Sequence, residues 1–177
     1  RTDGSSKFGK NNKWGYFPAF SAAWRLGEEE FIKDLEIFSD LKFRIGYGLA
    51  GNNRIGSYQS LALMSSVTAA NGNGAQAGYA SRQVPNPDLK WEVKHTFNAG
   101  ADLGMFGNRL LFSINYYNSK TTDMLYLYNV SVPPFAYNTL LANIGSMRNS
   151  GTEIAIGITP LKTRDMELNI NANITYQ

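Results

Sequence analysis

Gly46-Tyr47-Gly48-Leu49-Ala50-Gly51 has the spacing G-x-G-x-x-G, in which glycines let a backbone approach a pyrophosphate at the start of a helix. That chemistry also needs a helix at the same point and an acid about twenty residues on. Here Asn52-Asn53-Arg54-Ile55-Gly56-Ser57 follows, a loop, so the glycines read as small residues on a strand. His95 is the single histidine and Cys is absent, which excludes a multi-histidine zinc site, cysteine-ligated metals, thiol nucleophiles and a disulfide scaffold. Glu28-Glu29-Glu30 has cation-binding residue types, but acids leading an apolar-periodic segment suit a solvated helix start. Asn129-Val130-Ser131 and Asn173-Ile174-Thr175 match the glycosylation triplet, which Asn-rich strands generate by chance. No nucleophile, base and orienting group can be assembled. The sequence predicts no enzyme, no cofactor and no metal.

The residues left with a recognition chemistry are aromatic. Tyr58, Tyr79, Phe135 and Tyr137 sit in segments rich in Gly, Asn and Pro. Aromatic faces take up sugar rings through apolar CH contact while nearby amides bind hydroxyls. The alternative use of the same rings is to pack the loops on themselves or on a partner protein.

The elements that must position these loops show a two-residue period. Leu41, Phe43, Ile45, Tyr47 and Leu49 alternate with Lys42, Arg44, Gly46, Gly48 and Ala50. The same alternation runs through 92–105, 109–118, 152–159 and 166–176. Across these segments the apolar phase holds no Asp, Glu, Lys or Arg. The opposite phase holds Lys42, Arg44, Glu92, Lys94, Asp102, Arg109, Glu153 and Glu167 among many Gly, Ser, Thr and Asn. A bilayer-crossing strand needs about 9–11 residues, and 92–105 and 166–176 reach that length. A soluble sandwich shares the alternation but needs a second sheet over the apolar face and usually has shorter strands. The longest apolar run, Met124 to Tyr128, is far too short for a spanning helix.

Connections alternate in length. Gly107-Asn108 is a tight turn and Thr159 to Asp165 a short link, whereas 51–90 and 123–143 are long loops. Short turns on one rim and long loops on the other are the pattern of outer-membrane barrels. Phe31, Leu35 and Phe38 behind the glutamates predict a short amphipathic helix over 28–35 at the short-turn rim. Trp14, Tyr16 and Trp24, with Tyr47, Trp91 and Phe106, fall where interface girdles would put them, and His95 falls near the loop-side rim. Pro18 predicts a bulge or a break in the first strand. The chain has 177 residues and a net charge of +3, too small an excess to argue for nucleic acid.

Several blocks are similar, in order, to SusC/RagA-type TonB-dependent outer-membrane transporters. They are Trp14-Gly15-Tyr16-Phe17-Pro18-Ala19-Phe20-Ser21-Ala22-Ala23-Trp24-Arg25, Leu41 to Gly48 with Gly51-Asn52, and Asn86-Pro87-Asp88-Leu89-Lys90-Trp91-Glu92. Two more are Asn118 to Leu125 and Asn143-Ile144-Gly145-Ser146-Met147-Arg148-Asn149-Ser150-Gly151-Thr152-Glu153. The resemblance implies an all-β fold, an antiparallel transmembrane barrel of about 22 strands with a plugged lumen, of which residues 1–177 form about six strands. Those strands are expected at 14–26, 40–50, 91–105, 109–128, 144–159 and 166–177. The plug domain and the rest of the barrel lie outside them.

The resemblance further implies a Gram-negative outer-membrane location in Bacteroidota. It implies TonB-energised import of oligosaccharides or peptides, with TonB acting through the plug and a SusD-like surface lipoprotein acting as a lid. A passive porin or structural barrel is the alternative. On this reading Phe43, Ile45, Phe97, Phe112, Ile156 and Ile170 face lipid. Lys42, Arg44, Glu92, Lys94, Asp102 and Glu167, with Asn169 and Asn171, face the lumen and hold the plug. Tyr58, Tyr79, Phe135 and Tyr137 are the candidate contacts for substrate or lid.

Overall fold

The computed structural model describes residues 1–72 and 74–177. The chain divides into two compact units, Arg1–Phe17 with Ala50–Lys94 and Thr121–Met147, and Pro18–Leu49 with His95–Lys120 and Arg148–Gln177. In chain order the strands are β1 (Thr2–Gly4), β2 (Trp14–Tyr16), β3 (Ala19–Arg25), β4 (Phe38–Asn52), β5 (Met64–Asn71), β6 (Gly74–Ser81), β7 (Glu92–Met105), β8 (Leu110–Thr122), β9 (Leu125–Asn129), β10 (Thr139–Asn143), β11 (Ser146–Lys162) and β12 (Glu167–Tyr176). Among the described residues a single helix, α1 (Glu30–Lys33), follows a 3-10 turn at Leu26–Glu28.

The main sheet has six strands in the order β12-β11-β8-β7-β4-β3. Its registers preserve the sequence phases. In β11–β12, Ile154 opposes Ile174 and Ile158 opposes Ile170, while Glu153 opposes Thr175 and Gly157 opposes Asn171. In β3–β4, Trp24 opposes Phe43 and Ala22 opposes Ile45. Directly paired residues share a face, so apolar meets apolar on one side and polar meets small or polar on the other. β11 carries one extra residue between Ile158 and Leu161, where Ile170 and Leu168 are only two apart on β12. Pro160, which has no N–H to donate, sits in this bulge. The bulge lets β11 run on to Lys162, beyond the expected end at 159.

The expected first strand breaks at Phe17-Pro18, as the proline predicts, and β2 pairs with β1 instead of joining the main sheet. The expected helix over 28–35 shrinks to four residues, since Glu29 before it is extended and Glu36 after it has φ 51°. The tight turn is wider than Gly107-Asn108. Phe106, Gly107 and Asn108 all adopt left-handed backbone (φ 54°, 66° and 64°). Ser39 Oγ accepts hydrogen bonds from the N–H groups of Gly107 (2.8 Å) and Asn108 (3.2 Å), tying the turn to the start of β4. The expected strand 109–128 is interrupted at Asp123, φ 55°, which separates β8 from β9.

The long loops carry structure of their own. Residues 51–90 contain the β5–β6 hairpin, and 123–143 contain the β9–β10 hairpin with Leu125 opposite Asn143. The unit that holds them has a small apolar core of Phe8, Phe17, Leu89 and Trp91. Trp91 packs at 5.0 Å from Phe8 and edge-on at 5.4 Å from Phe17 (ring centroids), and its indole N–H donates to the Lys13 carbonyl at 3.3 Å. Trp91 is therefore a core residue and not an exposed girdle aromatic as the sequence suggests. Trp14, Tyr16, Trp24, Tyr47 and Phe106 are all exposed.

Candidate functional site

On the polar face of the main sheet, Arg44 is the centre of a network drawn from three strands. Its guanidinium pairs with Asp102 (Nε to Oδ2 2.8 Å, Nη2 to Oδ1 3.0 Å) and donates to Asn115 Oδ1 at 2.8 Å. Ser113 Oγ donates to the same Asp102 carboxylate at 2.8 Å. Strands β4, β7 and β8 bring these groups together because 44, 102, 113 and 115 all lie on the phase opposite the apolar one. Gly100 makes the room: a Cβ there would overlap Asn115 Oδ1 and press on the guanidinium at 3.2 Å. Toward the turn end, a trough of about 690 Å³ is lined by Asp40, Asp102, Ser113 and Asn171 together with Leu111 and Phe112.

Glu167 continues the polar phase on β12, accepting from Asn169 Nδ2 at 3.1 Å and pairing with Lys162 at 3.6 Å. Asn169 is also bonded to Thr159 Oγ1 at 2.7 Å. Lys42 is half-buried and Lys94 exposed.

The opposite face is apolar and, among the described residues, uncovered. Phe43 is 46% and Ile45 53% exposed, and Ile156 and Ile170 are exposed as well. Phe97 packs edge-on against Tyr116 at 6.4 Å, and Tyr47 Oη is 2.9 Å from His95 Nδ1. His95 thus has a phenol partner, and among the described residues no group of His and acids could hold a metal.

In the other unit the Asn86–Glu92 block and residues 121–147 are laced together. Asn143 accepts from Lys90 N–H at 3.0 Å and donates through Nδ2 to the carbonyls of Lys90 and Asp123, both at 2.8 Å. Lys90 Nζ pairs with the Asp123 carboxylate at 2.9 Å. Asn86 Nδ2 donates to Leu141 O at 2.9 Å. Glu92 uses both oxygens, accepting from Asn52 Nδ2 and from Leu125 N–H at 3.0 Å each. These bonds fix both ends of the β9–β10 hairpin. Sequence reasoning singled out Glu92 but missed Asn143 as a bracket; its only signal was its place at the head of the Asn143–Glu153 block.

Tyr58, Tyr79, Phe135 and Tyr137 are all exposed on this same unit. Tyr58 has left-handed backbone (φ 65°), and its carbonyl accepts from Gln83 Nε2 at 2.8 Å. Tyr79 lies on β6 opposite Ser66. Phe135 N–H donates to Ser131 O at 3.3 Å. Among the described residues no ring pair joins these four, so they form separate contact points rather than one aromatic cluster.

Comparison with known proteins places this geometry. The model of the family "TonB dependent receptor-like, beta-barrel" matches residues 1–177. The chain is 40% identical over 177 residues to a TonB-dependent receptor of Formosa agariphila, covering 99% of this chain and 17% of that protein. It is 37% identical over 180 residues to TonB-dependent receptor SusC of Bacteroides thetaiotaomicron, covering 99% and 18%. Among solved structures, the RagAB peptide transporter superposes with a TM-score of 0.82 at 30% identity, covering 99% of this chain and 19% of that one. The RagAB peptide importer in its closed-closed state gives 0.83 at 30%, with the same coverage. The chain spans less than a fifth of the length of these relatives.

Proposed function

The chain belongs to the TonB-dependent receptor-like β-barrel family, and from that premise we propose that it forms wall and outer mouth of a SusC-type outer-membrane importer. The observation that carries this is the two-faced main sheet. Phe43, Ile45, Ile156 and Ile170 present an open apolar surface, and Arg44, Asp102, Ser113 and Asn115 build a hydrogen-bonded polar surface on the other side. A face of exposed isoleucine and phenylalanine on long strands calls for hydrocarbon as its solvent.

In this reading Lys42, Arg44, Glu92, Lys94, Asp102 and Glu167 face the lumen, where charges of both signs hold a plug domain carried by the longer polypeptide. A wall of one sign would repel parts of a plug and collect ions. The wall does no chemistry. Uphill import draws on TonB pulling the plug from the periplasm. Tyr58, Tyr79, Phe135 and Tyr137 meet an oligosaccharide or peptide substrate, or a SusD-like lipoprotein over the mouth. The SusC likeness and the two RagAB structures, described as a peptide transporter and a peptide importer, support this reading.

The test is deletion of 123–143 from the full-length protein in its native outer membrane. Growth on the imported nutrient and pull-down of the lid lipoprotein should fall while surface expression persists. Removal of TonB should abolish uptake altogether. Uptake that survives without TonB would mark the barrel as a passive pore.

A further inference from the structure

Lys7, Lys10 and Lys13 line one cavity of about 390 Å³ with Tyr58 and Ser60. The backbone holds this wall in place. Gly9 N–H donates to Leu89 O at 3.1 Å, and Asn12 Nδ2 donates to Asp88 O at 3.1 Å. A Cβ on Gly9 would overlap the Pro87 carbonyl, so only glycine lets the two segments lie this close. Phe8, which is buried, anchors the loop from within. The lysines therefore stand on a fixed frame.

The charge of the cavity is uncompensated. Among the described residues no carboxylate lies within 4.0 Å of the Lys7, Lys10 or Lys13 ammonium group. Lys7 Nζ donates to the Asn53 carbonyl at 3.5 Å, a long and neutral bond. Ser60 is 5% exposed, yet its hydroxyl has no protein partner among the described residues and retains access to the cavity. That hydroxyl, open to the cavity, is placed to donate to a ligand acceptor. Three lysines on the same cavity wall favour a negatively charged acceptor.

We infer that this cavity binds an anionic group, a carboxylate or a sulfate or phosphate ester. Lys7, Lys10 and Lys13 supply the charge and Ser60 Oγ donates a hydrogen bond. The exposed ring of Tyr58 offers an apolar face to the body that carries the group. That chemistry has two sources at an outer-membrane mouth, a charged substrate such as a uronate-bearing glycan, or the phosphate of a lipid headgroup. The use of the site in import rests on the loop assignment above; the site itself does not.

The experiment takes the full-length transporter in detergent and titrates it calorimetrically, at constant ionic strength, with sodium sulfate, with galacturonate and with neutral galactose. Sulfate or galacturonate should bind and galactose should not. Lys7→Gln, Lys10→Gln and Lys13→Gln combined should weaken anion binding at least tenfold, the three arginine replacements should stay within threefold of wild type, and Ser60→Ala should weaken it by a smaller factor. In phosphatidylcholine nanodiscs, loss of galacturonate binding on adding lipid A assigns the site to lipid, and its persistence assigns it to substrate. Unchanged anion affinity in a correctly folded glutamine variant, or no anion binding by the wild type, overturns the site. Impaired uptake with intact anion binding would instead count against the loop assignment.

Discussion

The ring of Phe17 lies against the Cα of Gly51, so close that a Cβ at position 51 would overlap its Cζ. Phe17 in turn meets Trp91 edge-on. Gly51→Ala should therefore push the ring into Trp91 and cost about 1–3 kcal/mol, the usual penalty of overpacking. Chemical unfolding of the full-length barrel measures it, and Trp91 emission should shift to the red. Unaltered stability together with unaltered emission would show that the ring is not confined there.

Asn143 answers three backbone groups from two segments. Asn143→Ala removes the partner of the Lys90 N–H and carbonyl, both open to water, and of the part-buried Asp123 carbonyl, whose lost bond should cost about 1 kcal/mol. The local consequence is the sharper readout: amide exchange across Leu125–Asn143 should accelerate while exchange in β7 stays slow. Uniform protection in the variant would remove the bracket role.

Arg44 and Asp102 are each about a third or more exposed in this chain (41% and 33% of the side chain). Water screening then limits their coupling, and a double-mutant cycle with Arg44→Ala and Asp102→Ala should return about 0.2–1 kcal/mol. A markedly larger coupling in the full-length protein would indicate that a further segment shields this network from water.

Ile156 lies midway along β11 on the apolar face. Ile156→Arg should destabilise the membrane-inserted barrel by about 2–4 kcal/mol, whereas a lysine or arginine at Gly157, on the polar face, should cost much less in electrostatic terms. A side chain at Gly157 also meets Asn171 Oδ1 (Cβ at 2.9 Å), so only an electrostatic penalty at 157 exceeding that at 156 would reverse the face assignment.

The main sheet was legible because its information is local. A side chain's face follows from its parity along the strand, and the pairing of Ile154 with Ile174 or Gly157 with Asn171 only repeats that parity. Pro18 likewise announces its break through the N–H it lacks. What could not be read depends on contacts distant in sequence. Trp91 has the type and position of a girdle residue, and only the approach of Phe8 and Phe17 makes it core. The β5–β6 hairpin had a signal in Asn71-Gly72 between two uncharged runs, but small residues such as Ala69, Ala70 and Ala75 give no clear alternation. The lysine cavity joins residues near 10 with residues near 60 across the Gly9–Pro87 approach, which no spacing rule encodes.

The bulge at Pro160 has a mechanical consequence. A hairpin under shear fails when one strand slides past the other in steps of two residues, because a step of one would invert its faces. Between β11 and β12 the two-residue step is obstructed as well. It would carry the extra residue out of its kink and into regular pairing, where Pro160 has no hydrogen to give. The hairpin is keyed in a single register, like a ratchet tooth seated in its notch, and sliding of β11 along β12 is opposed at this point.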